Sequence, residues 1–198
     1  MPSTDPYDVV VAGAGNAALC AAINAHLQGA RVLVLEKAPE EEKGGNSYFT
    51  AGGFRFTHNG LDDVCQDVMP DLSQAERDQI ILPTHDRQFF YDTLMKVTRN
   101  QANEDLAWIL IDESRAAMAW LRENGVRFIP MYGRQSYEVD GKQHFYGGVN
   151  IEAVGGGAGL VTFLLERANK LGPLVSFIGV KENRKFTVRR DLQGTLGI

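Results

Sequence analysis

The chain has 198 residues, 44% hydrophobic and 23% charged, with a net charge of −5 at pH 7 and a pI of about 5.4. That length supports a real core, and the balance is that of a globular protein. With 25 acidic against 20 basic side chains, bulk attraction to nucleic acid or to an anionic membrane surface is excluded.

The two cysteines, Cys20 and Cys65, belong to no Cys-x-x-Cys or Cys/His cluster. No metal site is expected, and a reducing, cytoplasmic setting is favoured over a disulfide framework. Residues 9–25 carry no formal charge. The stretch before them holds Asp5 and Asp8 and no basic side chain, unlike a signal peptide. Gly13, Gly15, Asn16 and Asn24 argue against a membrane span.

Residues 7–12 read as a short buried strand, 13–18 as a tight glycine turn, 16–28 as a helix and 31–35 as a second strand ended by Glu36. Gly13-Ala14-Gly15-Asn16-Ala17-Ala18 has the form G-x-G-x-x-A of a β-α-β dinucleotide fingerprint. Gly13 allows the sharp exit from the strand, and Gly15 lets a pyrophosphate approach the backbone. Ala18 lets the helix lie close to the sheet. The helix N-terminus offers N–H groups and a positive dipole end. Glu36, 21 residues after Gly15, stands where an acid accepts ribose hydroxyls. Its charge would repel a 2′-phosphate, which favours FAD or NAD over NADP.

Glu40-Glu41-Glu42 reads as a solvated loop. Gly44-Gly45-Asn46-Ser47 and Ala51-Gly52-Gly53 then place two glycine pairs within ten residues. Paired glycines let backbone N–H groups face a ligand at close range. Residues 54–73 look polar and irregular, with His58 as a surface residue and Arg55 as either an anion contact or a surface group.

Helices are expected over 86–97 and 103–124, the second capped by Asn103 and stopped by Gly125. Leu106, Ile109, Leu110, Ala117, Trp120 and Leu121 recur at helical spacing and would form its core face. A short strand follows at 126–129, then a polar, aromatic loop or hairpin over 131–148. His144 is there the best histidine candidate for a ligand site, against a plain surface hairpin. Residues 150–154 make a poor buried strand. The glycine run 155–159 opens a helix to residue 171, and no ribose acid follows it, so a second dinucleotide turn is not expected. Residues 174–180 read as a third parallel strand beside the first. Lys181, Arg184, Lys185, Arg189 and Arg190 read as a solvated basic hairpin.

The runs GAGNAALCAA, LEKAP, GGNS and AGG, with MAWLRENGVRF further on, resemble the FAD-binding half of the fumarate reductase/succinate dehydrogenase flavoprotein superfamily. Within it the resemblance is closest to the tricarballylate dehydrogenase-like branch. It covers residues 7–171 and implies an α/β fold: an incomplete Rossmann-like FAD-binding domain with a parallel sheet and a helical segment beside it. The expected parts are 1–56 (β-α-β and second glycine motif), 57–148 (helical segment and hairpin) and 149–198 (glycine-rich helix and return strand).

The resemblance also implies roles. With Gly13 as the turn, Ala14, Gly15, Asn16 and Ala17 would meet the pyrophosphate, and Glu36 would hold the adenosine ribose with Lys37 beside it. Gly45, Asn46 and Ser47 would sit along the ribityl chain and flavin, with Ser47 towards N5. Ala51, Gly52 and Gly53 would run backbone along the isoalloxazine, and Val180 would touch adenine. The glycine-rich helix start would lie near the flavin side. The cofactor would be FAD and the substrate a dicarboxylate or tricarboxylate, with an electron-transfer partner unidentified. In the family a capping domain and return segment carry the catalytic groups, so no residue here is named catalytic. A truncated nucleotide-binding fragment and an NAD module are the alternatives. GGNS together with AGG favours flavin over the NAD module.

Overall fold

The computed structural model describes residues 7–172, and the backbone alone of 175–177, 189–190 and 196–197. In chain order it begins with β1 (Val9–Ala12), α1 (Asn16–Leu27) and β2 (Val32–Glu36), then a 3-10 turn at Glu40–Glu42 and the short α2 (Gly45–Tyr48). Next come β3 (Gly53–Phe54), α3 (Leu61–Asp67), α4 (Gln74–Arg77), β4 (Ile80–Ile81), α5 (Arg87–Val97) and α6 (Glu104–Glu123). β5 (Phe128–Pro130), α7 (Tyr132–Gln135), β6 (Ser136–Val139), β7 (Lys142–Phe145) and β8 (Ile151–Ala153) lead to α8 (Gly156–Leu171). β9 (Val175–Phe177), β10 (Arg189–Arg190) and β11 (Leu196–Gly197) complete the described strands. Two compact units result: one from residues 1–50 and 157–198, the other from 51–156.

In the first unit a parallel sheet has the order β1-β2-β9. β1 pairs with β2 from Val9↔Val32 to Ala12↔Leu35, and β2 pairs with β9 from Val34↔Val175 to Glu36↔Phe177. The third strand therefore lies beside β2 and not beside β1, as sequence reading placed it. This is the order of a mononucleotide-binding half, in which the second strand is flanked by the first and third. β2, central, buries Val32, Val34 and Glu36, whereas β1 is shorter and less buried than expected. α1 covers the sheet with Leu19, Ala22 and Ile23, all fully buried. α8 buries Leu160, Val161, Leu164, Leu165 and Ala168 at helical spacing. β10 and β11 pair antiparallel; Lys181, Arg184 and Lys185 lie outside the described residues.

In the second unit one antiparallel sheet has the order β3-β8-β5 and another the order β4-β7-β6. β8 is thus a central strand with Ile151 and Ala153 buried, where the sequence had suggested a poor one. Three residues show no clear alternation, and pairing on both edges makes the strand. The segment 54–73 is likewise more ordered than its polarity suggested: α3 spans seven of its residues and buries Val64 and Cys65. The expected hairpin is present as β6–β7, turned by Asp140 and Gly141, both at positive φ.

α6 starts after its expected cap Asn103, and Asp86, expected as the first residue of α5, is its cap. The Asp86 carboxylate accepts from Phe89 N–H at 2.8 Å, and the Asn103 side chain from Leu106 N–H at 3.0 Å. The core face of α6 differs from expectation. Leu106, Ile109 and Leu110 are exposed, whereas Ala107, Ile111, Ser114, Met118 and Leu121 are buried. The helix carries two stripes of similar spacing. The buried one holds a serine that is fully used: Ser114 Oγ donates to Ile111 O at 2.7 Å and accepts from Thr57 N–H at 3.1 Å. Among the described residues no helix is long and apolar enough to cross a membrane. No group of three or more His, Cys, Asp or Glu side chains among them could hold a metal ion.

Candidate functional site

The glycine turn of the first unit is closed by hydrogen bonds from both sides. Gly13, at φ +100, donates its N–H to Leu35 O at 2.8 Å. A positive φ there lets the chain leave β1 and reverse into α1 without Cβ strain. Ala14 is fully buried, and its N–H donates to Glu36 Oε2 at 2.7 Å. Glu36 Oε1 accepts from Ala38 N–H at 2.8 Å. The acid at the end of β2 therefore locks the turn as well as standing beside it. A carboxylate offers about four lone-pair sites, of which these two backbone donors take two. Lys37, next to it, is exposed.

Gly15 is the N-cap of α1, in extended conformation and with no side-chain cap. The N–H groups of the first helical turn are those a phosphate would meet. Asn16 and Ala17 form that turn, and Ala17 is exposed. Ser47 comes to the same place: its Oγ accepts from Asn16 N–H at 3.1 Å. A Cβ on Gly15 would stand 3.5 Å from that Oγ and 3.4 Å from Gly44 O. The structure thus joins the first glycine motif to the second.

The two glycines of that second motif do different work. Gly44 is buried, with φ +104, and a Cβ on it would meet Val161 Cγ1 of α8 at 2.9 Å. Gly45 opens α2, is exposed, and would meet nothing within 4 Å. Gly45 and the exposed Asn46 are therefore the accessible residues of this motif. Gly157 N–H donates to Thr50 O at 3.0 Å, which ties the start of α8 to the end of this segment.

Ala51, Gly52 and Gly53 belong to the second unit. A Cβ on Gly52 would lie 2.5 Å from the carbonyl carbon of Gly156, so this backbone contact excludes any side chain. Gly53 is exposed and opens β3. Val180 lies outside the described residues.

His58 is buried at 3% exposure and is no surface residue. It forms an antiparallel bridge with His85, with backbone N–H···O distances of 3.0 and 2.9 Å. The rings lie 5.0 Å apart, and His85 stacks on Phe89. Nothing in the local sequence marks His85; only the bridge brings the two together. His58 Nδ1 accepts from Gly60 N–H at 3.2 Å, which places its proton on Nε2. Burial, then His85, push the His58 pKa down to about 4, with Asp63 opposing and Arg115 adding to the depression. Burial also lowers that of His85.

Between the folded value and 6.5 for the unfolded ring, the unfolded chain binds more protons, so stability rises with pH and is complete above about 6.5. Moving from pH 7.5 to 4.5 should therefore cost about 2 kcal/mol through His58 alone. Urea unfolding of the wild type and His58→Gln at both pH values checks this. An equal pH loss in the two proteins would remove His58 as the cause.

His58 also lines a cleft of about 530 Å³ with Asn59, Asp86, Arg87 and Arg115. Its two arginines are matched: Arg87 forks onto Asp112, and Arg115 bridges Asp63 and Asp67. His144 lies on β7, half-buried and stacked on Tyr137; no described contact joins it to the other candidate residues.

A glycine turn between strand and helix, closed by the acid of the next strand, defines a dinucleotide-binding α/β protein. The chain belongs to the FAD binding domain family, whose sequence profile matches residues 8–180, and its cofactor is FAD. An NADH:fumarate oxidoreductase from Klebsiella pneumoniae (strain 342) is 31% identical over 120 residues, 61% of this chain and 11% of that protein. A probable fumarate reductase, Ifc3, from Shewanella frigidimarina (strain NCIMB 400) is 28% identical over 145 residues, 73% of this chain and 22% of that protein. The chain thus spans about a tenth and a fifth of these relatives.

The fold is similar to that of the open conformation of a flavocytochrome c3 fumarate reductase. The TM-score is 0.59 at 22% identity, over 96% of this chain and 29% of that one. A 3-ketosteroid-Δ4-(5α)-dehydrogenase from Rhodococcus jostii RHA1 gives the same TM-score and identity, over 89% of this chain and 39% of that one. The fold is thus similar to that of flavoproteins of the fumarate reductase and ketosteroid dehydrogenase kinds.

Proposed function

We propose that this chain is the FAD-holding part of an oxidoreductase that moves a hydride between flavin and a CH–CH bond of a carboxylate-bearing substrate. The observation that carries the reading is the glycine turn locked by Glu36 and met by Ser47, in a chain of the FAD binding domain family. The fumarate-reducing relatives support a dicarboxylate or tricarboxylate substrate. The motifs GNAALCAA and GGNS resemble the tricarballylate dehydrogenase-like branch, which favours a tricarboxylate.

In this reading Gly13, Ala14, Gly15, Asn16 and Ala17 hold the pyrophosphate, and Glu36 holds the ribose with Lys37 beside it. Ser47 is shared between α1 and the cofactor, with Gly45 and Asn46 along the ribityl chain. Ala51, Gly52 and Gly53 offer backbone to the isoalloxazine, and Val180 meets adenine. Residues 1–56, 57–148 and 149–198 are the parts of one FAD-binding domain, and a capping domain supplies the substrate clamp. Bound FAD supplies a hydride acceptor and donor. The chain's own residues orient it and leave Gly45 without a side chain where it must approach.

The absorbance spectrum of the purified protein, before and after FAD addition and desalting, tests this. A retained flavin spectrum is expected. Gly15→Val should lower FAD affinity at least a hundredfold, because its side chain fills the pyrophosphate path; this corresponds to about 3 kcal/mol. Unchanged flavin retention in that variant would overturn the phosphate assignment.

A further inference from the structure

Arg55 differs from four other arginines of the second unit in being half-buried without an acidic partner among the described residues. Arg87, Arg115, Arg122 and Arg127 each lie within 2.8 Å of an aspartate oxygen. Arg55, one residue beyond β3, meets no carboxylate among the described residues. Its Nη1 donates to Thr93 Oγ1 of α5, and its guanidinium lies 5.5 Å from the Phe90 ring centre. The guanidinium also packs against Gly148, where a Cβ would come within 2.7 Å of Cζ and Nε. The side chain is half-buried, and burial alone lowers its pKa.

A cation taken partly out of water without a counter-charge is costly. Here three contacts hold it in place nonetheless: a hydroxyl, an aromatic face and a glycine that leaves it room. A guanidinium has five N–H donors, and Thr93 takes one. Among the described residues the buried side-chain atoms lacking a partner are His26 Nδ1 and Asn150 Oδ1. The remaining Arg55 donors therefore reach the surface. Nearby His85 offers no negative charge in either protonation state; burial, then Arg55, lower its pKa, with Asp86 opposing.

We propose that Arg55 is an anion-binding residue that receives a carboxylate of the substrate, fixed for this by Thr93, Phe90 and Gly148. The planar fork suits a carboxylate through two parallel N–H···O bonds. The proposal rests on the carboxylate-substrate reading given above. It adds a specificity residue in the described chain itself, two positions after Gly53.

The test is calorimetric titration of the FAD-loaded chain with tricarballylate and with succinate, against neutral trimethyl tricarballylate and inorganic phosphate. Wild type should bind the carboxylates and not the ester. Arg55→Gln should weaken carboxylate binding at least tenfold. Arg55→Lys should weaken it less, because charge survives and the fork is lost. Gly148→Ala, which displaces the guanidinium while keeping its charge, should also weaken it. FAD retention and the thermal midpoint should stay close to wild type in Arg55→Lys and Gly148→Ala, which also serve if Arg55→Gln does not fold.

Equal carboxylate affinity in wild type and the Arg55 variants would overturn the proposal. So would a wild type that binds neither carboxylate, or one that binds phosphate as tightly through Arg55. A lower thermal midpoint with unchanged affinity would make Arg55 a structural strut and overturn it too. FAD retention is read separately. A wild type that retains no FAD yet binds tricarballylate through Arg55 would sink the flavoprotein reading and leave the carboxylate site standing.

Discussion

Glu36→Ala is expected to lower both the stability of the protein and its affinity for FAD. Glu36 is 6% exposed, and its two oxygens accept from Ala14 and Ala38 N–H. Removing it strands two backbone donors, one of them on the fully buried Ala14. Hydrogen bonds to a charged group are worth about 1.5–3 kcal/mol each. The two are not fully additive, so a loss of about 3 kcal/mol in urea unfolding is expected. FAD affinity should fall further, by the ribose hydrogen bonds the remaining lone pairs would accept. Glu36→Gln should be intermediate in stability, since its oxygen keeps one donor while its amide nitrogen opposes the other. Calorimetric FAD titration beside urea unfolding separates the two roles. A less stable variant with wild-type FAD affinity leaves only the turn-locking role. Unchanged stability would mean the two N–H groups find other acceptors.

Gly157→Ala is expected to be the most damaging change of a single methyl group. A Cβ there would sit 2.0 Å from Ser47 O, 2.5 Å from Thr50 Oγ1 and 2.8 Å from Thr50 O. Two of those atoms are backbone carbonyls, and Thr50 O already accepts the Gly157 N–H. The start of α8 cannot move away without breaking that bond. Overpacking against backbone should cost about 3 kcal/mol. Gly45→Ala is the control: its φ is +54 but nothing lies within 4 Å, so the cost should be about 1 kcal/mol of backbone strain. The two urea midpoints should therefore separate clearly, with Gly157→Ala far lower. Equal midpoints would show that α8 can shift to accept the methyl group. Because Ser47 also receives Asn16 N–H, a shifted Ser47 should weaken FAD binding in Gly157→Ala as well.

α6 begins after the expected cap Asn103, because a cap acts within one turn, and α5 begins within a residue of its expected start at Asp86, which proves to be its cap. The same holds for the β-α-β unit and the β6–β7 hairpin. Their signals are local: a positive-φ turn at Gly13 and a left-handed pair at Asp140-Gly141. Face selection is not local. The α6 sequence offers Leu106, Ile109 and Leu110 as readily as Ala107, Ile111 and Met118. Which stripe is buried is settled by the elements packed against it, among them Thr57, whose N–H donates to Ser114 Oγ.

The sequence by itself determined the glycine turn, the acid at the end of the next strand and the second glycine motif, since spacing and residue type carry those signals; that the acid closes the turn came from the structure. Tertiary structure alone decided that the third strand lies beside β2, because edge order is set by the crossover and not by strand composition. It alone buried His58 against His85, 27 residues away, through a two-bond bridge. It also brought Ser47 to the first turn of α1 and left Arg55 without an acid among the described residues. Such pairings are set by long-range packing, which makes a contact between distant residues that no local pattern encodes.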